Sequence, residues 1–286
     1  MTARKKIILG FALIAFVDIV LWELWRSRIP DPIYQGKHLS YWLAHTPAPA
    51  PFLGPDGPIL VVHVEETPVG HVGTNAIPLL LAYMGAHDSR IKTAMIKWMR
   101  SRRFVSFVRF GELYTDGELH SQALPGFQVL GSIGLGQSAV PELMRIYKIN
   151  PSYPSQAFVV QALGSIGPGA KDSIPLLIGA TTNSDYRLRR CGLRALGQIS
   201  CEPDVIVPVL TNALNDSDRT IQITAAQSIG NFGLHARAAF PPLLQLWQSA
   251  SERRGSFTIG GEIAADNFAY VLKQIDPEAA AKAGIQ

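Results

Sequence analysis

An all-α fold, a solenoid of helical hairpins carried behind one N-terminal transmembrane helix, is predicted by two patterns in the sequence. The first is a period. Leu130-Gly131, Leu163-Gly164, Leu196-Gly197 and Ile229-Gly230 follow one another at a step of 33 residues, and Pro141, Pro175, Pro208 and Pro241 keep nearly the same step. Repeats of this length are stacked supersecondary units, none of which buries its apolar face alone. Their product is an extended surface more often than a reaction centre. The second pattern is the apolar run from Ile7 to Trp25, about 28 Å long as a helix and so close to the ~30 Å hydrocarbon core of a bilayer.

The composition agrees with a large packed core. The chain has 286 residues, 47% of them hydrophobic and 17% charged, which excludes a disordered polyelectrolyte. A net charge of +4 permits anionic partners without requiring nucleic acid. Cys191 and Cys201 are the only cysteines. With one in mid-helix and the other past its end they stand about 15 Å apart, too far for a disulfide, and are expected as free thiols.

The elements follow in chain order. Arg4, Lys5 and Lys6 precede the apolar run, Trp22 and Trp25 suit an interfacial belt, and Arg26 and Arg28 mark the exit. Asp18 is the misfit inside the run. No small-residue cleavage pattern follows, so residues 1–28 read as an uncleaved anchor rather than a signal peptide. The basic N-terminal cluster orients the chain with its N-terminus inside, a single pass, and the body extracytoplasmic.

Residues 29–69 read as a linker. Pro30-Asp31-Pro32 stops the membrane helix, Leu39 to Leu43 forms a short amphipathic helix, and five prolines between 47 and 58 favour an extended loop. Ile59 to Val64 suits a strand or a buried helix equally. The third region, 70–286, holds about five repeats, with insertions near 100–120 and 249–261. In each unit the first helix follows the proline (Ile174 to Ala180, Val207 to Ala213, Phe240 to Trp247), which suits a first turn because its missing N–H has no partner there. Asp185 and Asp218 are placed to N-cap the second helices, as is Asp88 before a helix at Ile91 to Met99. Leu188, Gly192, Ala195, Leu196 and Ile199 make a buried stripe, and Gly192 and Ala225 allow close helix approach. Gly164, Gly197 and Gly230 either relieve tight packing or end their helices. Ile263 to Ile275 closes the stack, and Asp276-Pro277 leads into an alanine-rich tail.

The segments Leu163 to Leu177 (LGSIGPGAKDSIPLL) and Ser184 to Gly197 (SDYRLRRCGLRALG) resemble HEAT repeats of the phycobilisome-lyase-like type, and the likeness covers residues 70 to 275. The flanks are similar to a narrower set of membrane-anchored bacterial HEAT-repeat domain proteins, whose molecular role is undefined. That set carries a Tyr-Gly-Lys-Leu-Ser-Trp motif after an apolar segment, matched here by Tyr34, Gly36, Lys37, Leu39, Ser40, Trp42 and Leu43. Val72 to Pro78 and Leu272 to Gly284 are also similar to it. The resemblance implies an α-solenoid and, by analogy, protein binding. The chain departs from the pattern at Thr67 to His71, where Pro68 and Gly70 occupy a helical place, so the first repeat reads as an irregular cap.

No constellation of residues reads as catalytic, and no metal or cofactor is expected. Gly164 to Gly169 imitates a phosphate loop but has no preceding strand and no Lys-Ser/Thr ending, so an inter-repeat turn explains it better. His63, Glu65, Glu66 and His71 lack metal-ligand spacing. Arg189, four residues after Asp185, reads as part of a polar ladder between repeats, and Lys92 and Gln222 hold the same place after Asp88 and Asp218.

Two groups of basic residues carry the candidate interactions. Arg187, Arg190 and Arg194 point away from the buried stripe, toward the inner curve that second helices line in this repeat class; plain solvation competes with partner binding there. Lys97, Arg100, Arg102, Arg103 and Arg109 belong to a stretch from 89 to 111 without an acidic residue, interleaved with Trp98, Phe104, Phe107 and Phe110. It suits an anionic lipid surface or nucleic acid, or a basic loop packed on the first repeat. The expectation is therefore a non-catalytic scaffold, tethered through residues 7–25, that holds a protein or peptide on its concave face. Nucleic acid is disfavoured, and a bilin lyase-like enzyme is the rival from another class.

Overall fold

A computed structural model describes residues 28–45, 67–86, 94, 114–151, 154–252 and 259–285. The expected transmembrane run 7–25, the proline-rich loop, Ile59 to Val64, Asp88 and the helix at Ile91 to Met99 lie outside the described residues. No helix among the described residues is long and apolar enough to cross a membrane. The described chain is almost wholly α-helical, with one two-residue antiparallel hairpin, and divides into two compact units, Met1–Leu135 and Gly136–Gln286.

In the first unit β1 (Ile33–Tyr34) pairs with β2 (Lys37–His38) through a tight turn at Gln35 and Gly36, whose φ values of 48° and 75° favour glycine or a polar residue. This hairpin, absent from the sequence expectation, leads directly into α1 (Leu39–His45), the expected amphipathic helix. Leu39 is fully buried, and the Trp42 indole donates to the Tyr34 carbonyl at 3.0 Å. α2 (Pro68–Val72) forms where the proline and glycine had suggested a break from the repeat pattern. Pro68 sits in the first turn, and the Thr67 hydroxyl accepts from the Gly70 amide at 3.0 Å.

α3 (Ile77–Met84) packs on α4 (Asp116–Ser132), with Leu79, Leu80, Tyr83, Leu119, Phe127 and Leu130 almost wholly buried. α4 begins inside the stretch read as an insertion, 100–120, of which residues 100–113 lie outside the described residues. Thr115 and Glu118 form a capping box, the Thr115 amide donating to the Glu118 carboxylate at 2.7 Å. Thr-x-x-Glu is the sequence signature of that device and was present to be read.

The second unit is a stack of helical hairpins. α5 (Val140–Ile149) packs on α6 (Ser155–Ile166), α7 (Ile174–Thr181) on α8 (Tyr186–Ile199), α9 (Pro203–Ala213) on α10 (Arg219–Gly230), and α11 (Phe240–Glu252) on α12 (Ile259–Ile275). Successive second helices then pack on each other, α6 on α8, α8 on α10 and α10 on α12. The tail after Asp276 is a further short helix, α13 (Pro277–Lys282), N-capped by Asp276.

Pro141 and Pro175 take first-turn positions as expected, whereas Pro208 lies inside α9, which begins four residues before the expected Val207. An interior proline costs about 3 kcal/mol. Burying Ile206, Val207 and Leu210 on the same helix returns about 1.5–3 kcal/mol each, so burial decides the boundary.

Candidate interaction face

The face carrying Arg187, Arg190 and Arg194 is built from α8 outward. The Asp185 carboxylate accepts from the Arg187 amide at 2.9 Å and starts the helix, while the Asp185 amide is itself held by Asn183 at 2.9 Å. Leu188, Gly192, Leu193, Ala195, Leu196 and Ile199 are buried, which reproduces and widens the expected stripe. Ser200, in the left-handed region at φ 51°, ends the helix. Asp218 repeats the start at α10, accepting from the Thr220 amide at 2.7 Å, and that bond holds its carboxyl below the usual carboxylate range.

The glycines resolve the alternative left open by the sequence. Gly164 and Gly197 do not end their helices but lie inside the last turn, where the next second helix crosses. A Cβ on Gly164 would stand 2.8 Å from the Ala195 Cα, and one on Gly197 would stand 2.8 Å from the Ser228 Cα. Both distances are shorter than any ordinary carbon contact, so glycine is required for backbone approach. The chain reverses three residues later, at Gly167, whose φ is 70° and whose amide donates to the Gly164 carbonyl. The segment from Gly164 to Gly169 is thus a helix end running into a 3-10 stretch at Gly167–Ser173.

On the outer side of α8, Arg187 and Arg194 are exposed and Arg190 half-buried. Arg187 lies beside the Tyr186 ring at 5.7 Å. Arg190 and Arg194 make neither an ion pair nor a hydrogen bond among the described residues. Between them sits the half-buried Cys191, a free thiol like Cys201. Burial pushes the Cys191 thiol up, against the opposing pull of the two guanidinium groups. The helices on either side add no acid, since α6, α8 and α10 contain no Asp or Glu between their first and last residues. They contribute amides instead: Gln161, whose side chain donates to the Ala157 carbonyl at 3.2 Å, and the exposed Gln227, which donates to Asn267 at 2.7 Å.

Arg189 behaves differently. Its Nε stands 3.2 Å from the Asp216 carboxylate, with both side chains 19% exposed, and its Nη1 donates to the Asn183 and Ser184 carbonyls at 3.1 and 3.2 Å. Gln222, at the corresponding place of α10, donates to the Asp216 carbonyl at 2.8 Å. The Arg189–Asp216 pair ties one hairpin to the next, while the bonds to the Asn183, Ser184 and Asp216 carbonyls brace a helix start within its own hairpin.

Lys97, Arg100, Arg102, Arg103 and Arg109 lie outside the described residues, as do Lys92, His63, Glu65 and Glu66. His71 packs against the Tyr34 ring at 5.0 Å. Among the described residues no three His, Cys, Asp or Glu side chains gather as a metal site. An open groove of about 560 Å³ that the sequence reading missed runs between α9 and the 3-10 stretch at Gly233–Ala239, walled by Pro203, Val207, Pro208 and Ala238 with Asp204 and His235 at its edge. Its walls come from segments some thirty residues apart, and no local pattern announces them.

No family model and no curated protein matches the chain. Among solved structures, the crystal structure of an engineered protein aligns with 76% of this chain and 95% of its own, at 15% identity and a TM-score of 0.36. At that score the likeness bears on neither fold nor activity.

Proposed function

We propose that the chain is a non-catalytic scaffold, an α-solenoid of HEAT type tethered to a membrane through residues 7–25, which holds a protein or peptide on the concave face that its second helices line. The observation that carries this reading is the face of α8. Three arginines share one side of a helix, its flanking helices carry no acidic residue, and Arg190 and Arg194 have no partner within the described chain. Stacked hairpins that expose a continuous helical surface support the same reading, since that is the geometry in which repeat proteins present binding sites.

The tether rests on the apolar run and its basic flank. Full-length protein should stay with membranes through alkaline carbonate washing, and a form lacking residues 1–28 should be released; release of both would reject the anchor. Protease added outside spheroplasts should cut the body if the N-terminus is inside.

For the scaffold, crosslinking in intact cells should capture a partner, and joint change of Arg187, Arg190 and Arg194 to Glu should weaken capture while the far-ultraviolet circular dichroism of the chain is kept. Undiminished capture would reject this face. Covalent transfer of an added bilin to an acceptor protein would replace the scaffold with a lyase. Steeply salt-dependent binding of nucleic acid by the stretch 90–109 would move the site there.

A further inference from the structure

We infer that Lys37, Tyr41 and His45 form a contact row that rests on the anionic headgroup layer of the bilayer holding the anchor. The first unit is then docked on the membrane as well as tethered to it. This inference rests on the proposed tether through residues 7–25 and says what the chain does just beyond it.

The row is built by the join of β2 to α1. Tyr41 and His45 stand one helical turn apart, so their rings share a side of α1. The rings stack at 4.2 Å and 19°, and the imidazole Nδ1 lies 2.8 Å from the Tyr41 carbonyl. Lys37, in β2, places its ammonium 3.9 Å from the centre of the Tyr41 ring. All three residues are exposed. The other side of α1 is committed to the protein, with Leu39 fully buried and the half-buried Trp42 bonded to the Tyr34 carbonyl. What α1 turns outward is therefore a preformed column of one cation and two rings. Ile33 and His38 occupy the other face of the hairpin and are not part of it.

Reach and charge select the occupant. The apolar run ends at Trp25, and by Asp31 the chain is already fastened to α1: the Asp31 carboxylate accepts from the Ser40 amide at 3.0 Å, and the Pro32 carbonyl accepts from the Leu39 amide at 2.7 Å. Six residues span at most about 20 Å, of which the headgroup layer takes up about 5–8 Å. The start of α1 cannot leave the neighbourhood of the bilayer. No Asp or Glu occurs between Pro32 and His45, and the exposed Arg28 adds positive charge at the exit. Tyrosine and lysine at this depth are the residues that settle at a membrane–water boundary, and anionic lipid attracts the lysine. One cation on two rings is a weak site for a freely diffusing ligand. It suffices for a surface held within reach, because the tether makes the encounter intramolecular.

The second unit supplies the references for a test, since Tyr41, Tyr186 and Tyr270 are 39%, 43% and 40% exposed. Full-length protein is reconstituted into vesicles of phosphatidylcholine, alone or with about one third phosphatidylglycerol, and oxidised briefly with hydroxyl radicals, the tyrosines being read by mass spectrometry. Phosphatidylglycerol should lower the oxidation of Tyr41 about threefold relative to Tyr186 and Tyr270. Lys37→Glu should abolish that protection and Lys37→Arg should keep it, with the thermal midpoint checked for each. A flexible Gly-Ser insertion of about twenty residues after Arg28 should keep most of the protection, because the row itself holds the surface.

Unchanged Tyr41 oxidation in anionic vesicles that retain the protein through carbonate washing would overturn the inference and leave the anchor standing. Protection that Lys37→Glu leaves intact, or that the insertion removes, would overturn it as well. Protection that grows with the protein-to-lipid ratio, and not with phosphatidylglycerol, would assign the row to a protein contact instead. Release of the full-length protein by carbonate would remove the anchor, and the inference with it.

Discussion

At the Gly164 and Gly197 crossings of the unit from Gly136 onward helices meet backbone to backbone, while the described helices of the unit before it meet through large side chains. Gly197 brings α8 against the Ser228 Cα, and the buried residues around these crossings are small: Ala162, Ala195, Ala225, Ala226, Ala264 and Ala265. In the first unit the core holds Tyr83, Met84 and Phe127, and the tight glycine Gly126 accommodates the Leu80 side chain, whose Cδ2 would lie 2.6 Å from an added Cβ. Backbone contact leaves no freedom of offset, so each step must copy the last, and the copying is visible as a period. Side-chain contact admits many solutions, and no period results.

The sharpest way to break this comparison is to exchange volume at both contacts. Leu80→Ala should cost about 4 kcal/mol, the largest effect expected, because a fully buried leucine leaves a cavity beside Gly126. Adding Gly126→Ala should recover about 1 kcal/mol in a double-mutant cycle by denaturant unfolding, since the new methyl enters the space the leucine left. Gly197→Ala should cost about 3 kcal/mol, and Ser228→Gly should not rescue it, because the Ser228 Cα remains 2.8 Å from the new methyl. Rescue there would show that the crossing is governed by side chains after all. Gly179→Ala, with nothing within 4 Å of its Cβ, serves as the internal control and should stabilise α7 by about 0.5–1 kcal/mol.

Smaller effects test the links between hairpins. Arg189→Met should cost about 2 kcal/mol, between the values for exposed and buried pairs, since the Asp216 carboxylate it leaves is only 19% exposed. Asp218→Ala should cost about 1 kcal/mol through the lost cap. The Asp218 carboxyl is held below its ordinary range by the Thr220 amide. Its contribution is therefore complete above the unfolded value near pH 4 and is lost as pH falls through the lowered folded value. Stability curves of the parent and the Asp218→Ala variant should converge in acid, once the pH has fallen below the lowered folded value; a difference that persists unchanged in acid would assign the effect to something other than the carboxylate.

Several features were legible because each rests on interactions within a few residues. Asp185 and Asp218 cap the helices they precede, Pro141 and Pro175 occupy first turns, and the stripe from Leu188 to Ile199 faces inward. The capping box at Thr115 was equally local and was overlooked. The early start of α9 escaped because an interior proline argues against it until the burial of Ile206, Val207 and Leu210 is known.

What the chain determined alone was therefore its helical class, the step of its repeats and the starts of several helices, all fixed by short-range hydrogen bonds and the period of apolar side chains. Tertiary structure decided which arginines are satisfied. Arg189 and Arg190 are neighbours in sequence, yet one reaches Asp216 from the next hairpin, 27 residues on, and the other has no carboxylate partner among the described residues. The physical reason is that a guanidinium group pairs with whatever acid the stacking offset brings within about 3 Å, and that offset is set by the glycine crossings between helices rather than by either arginine's own neighbours.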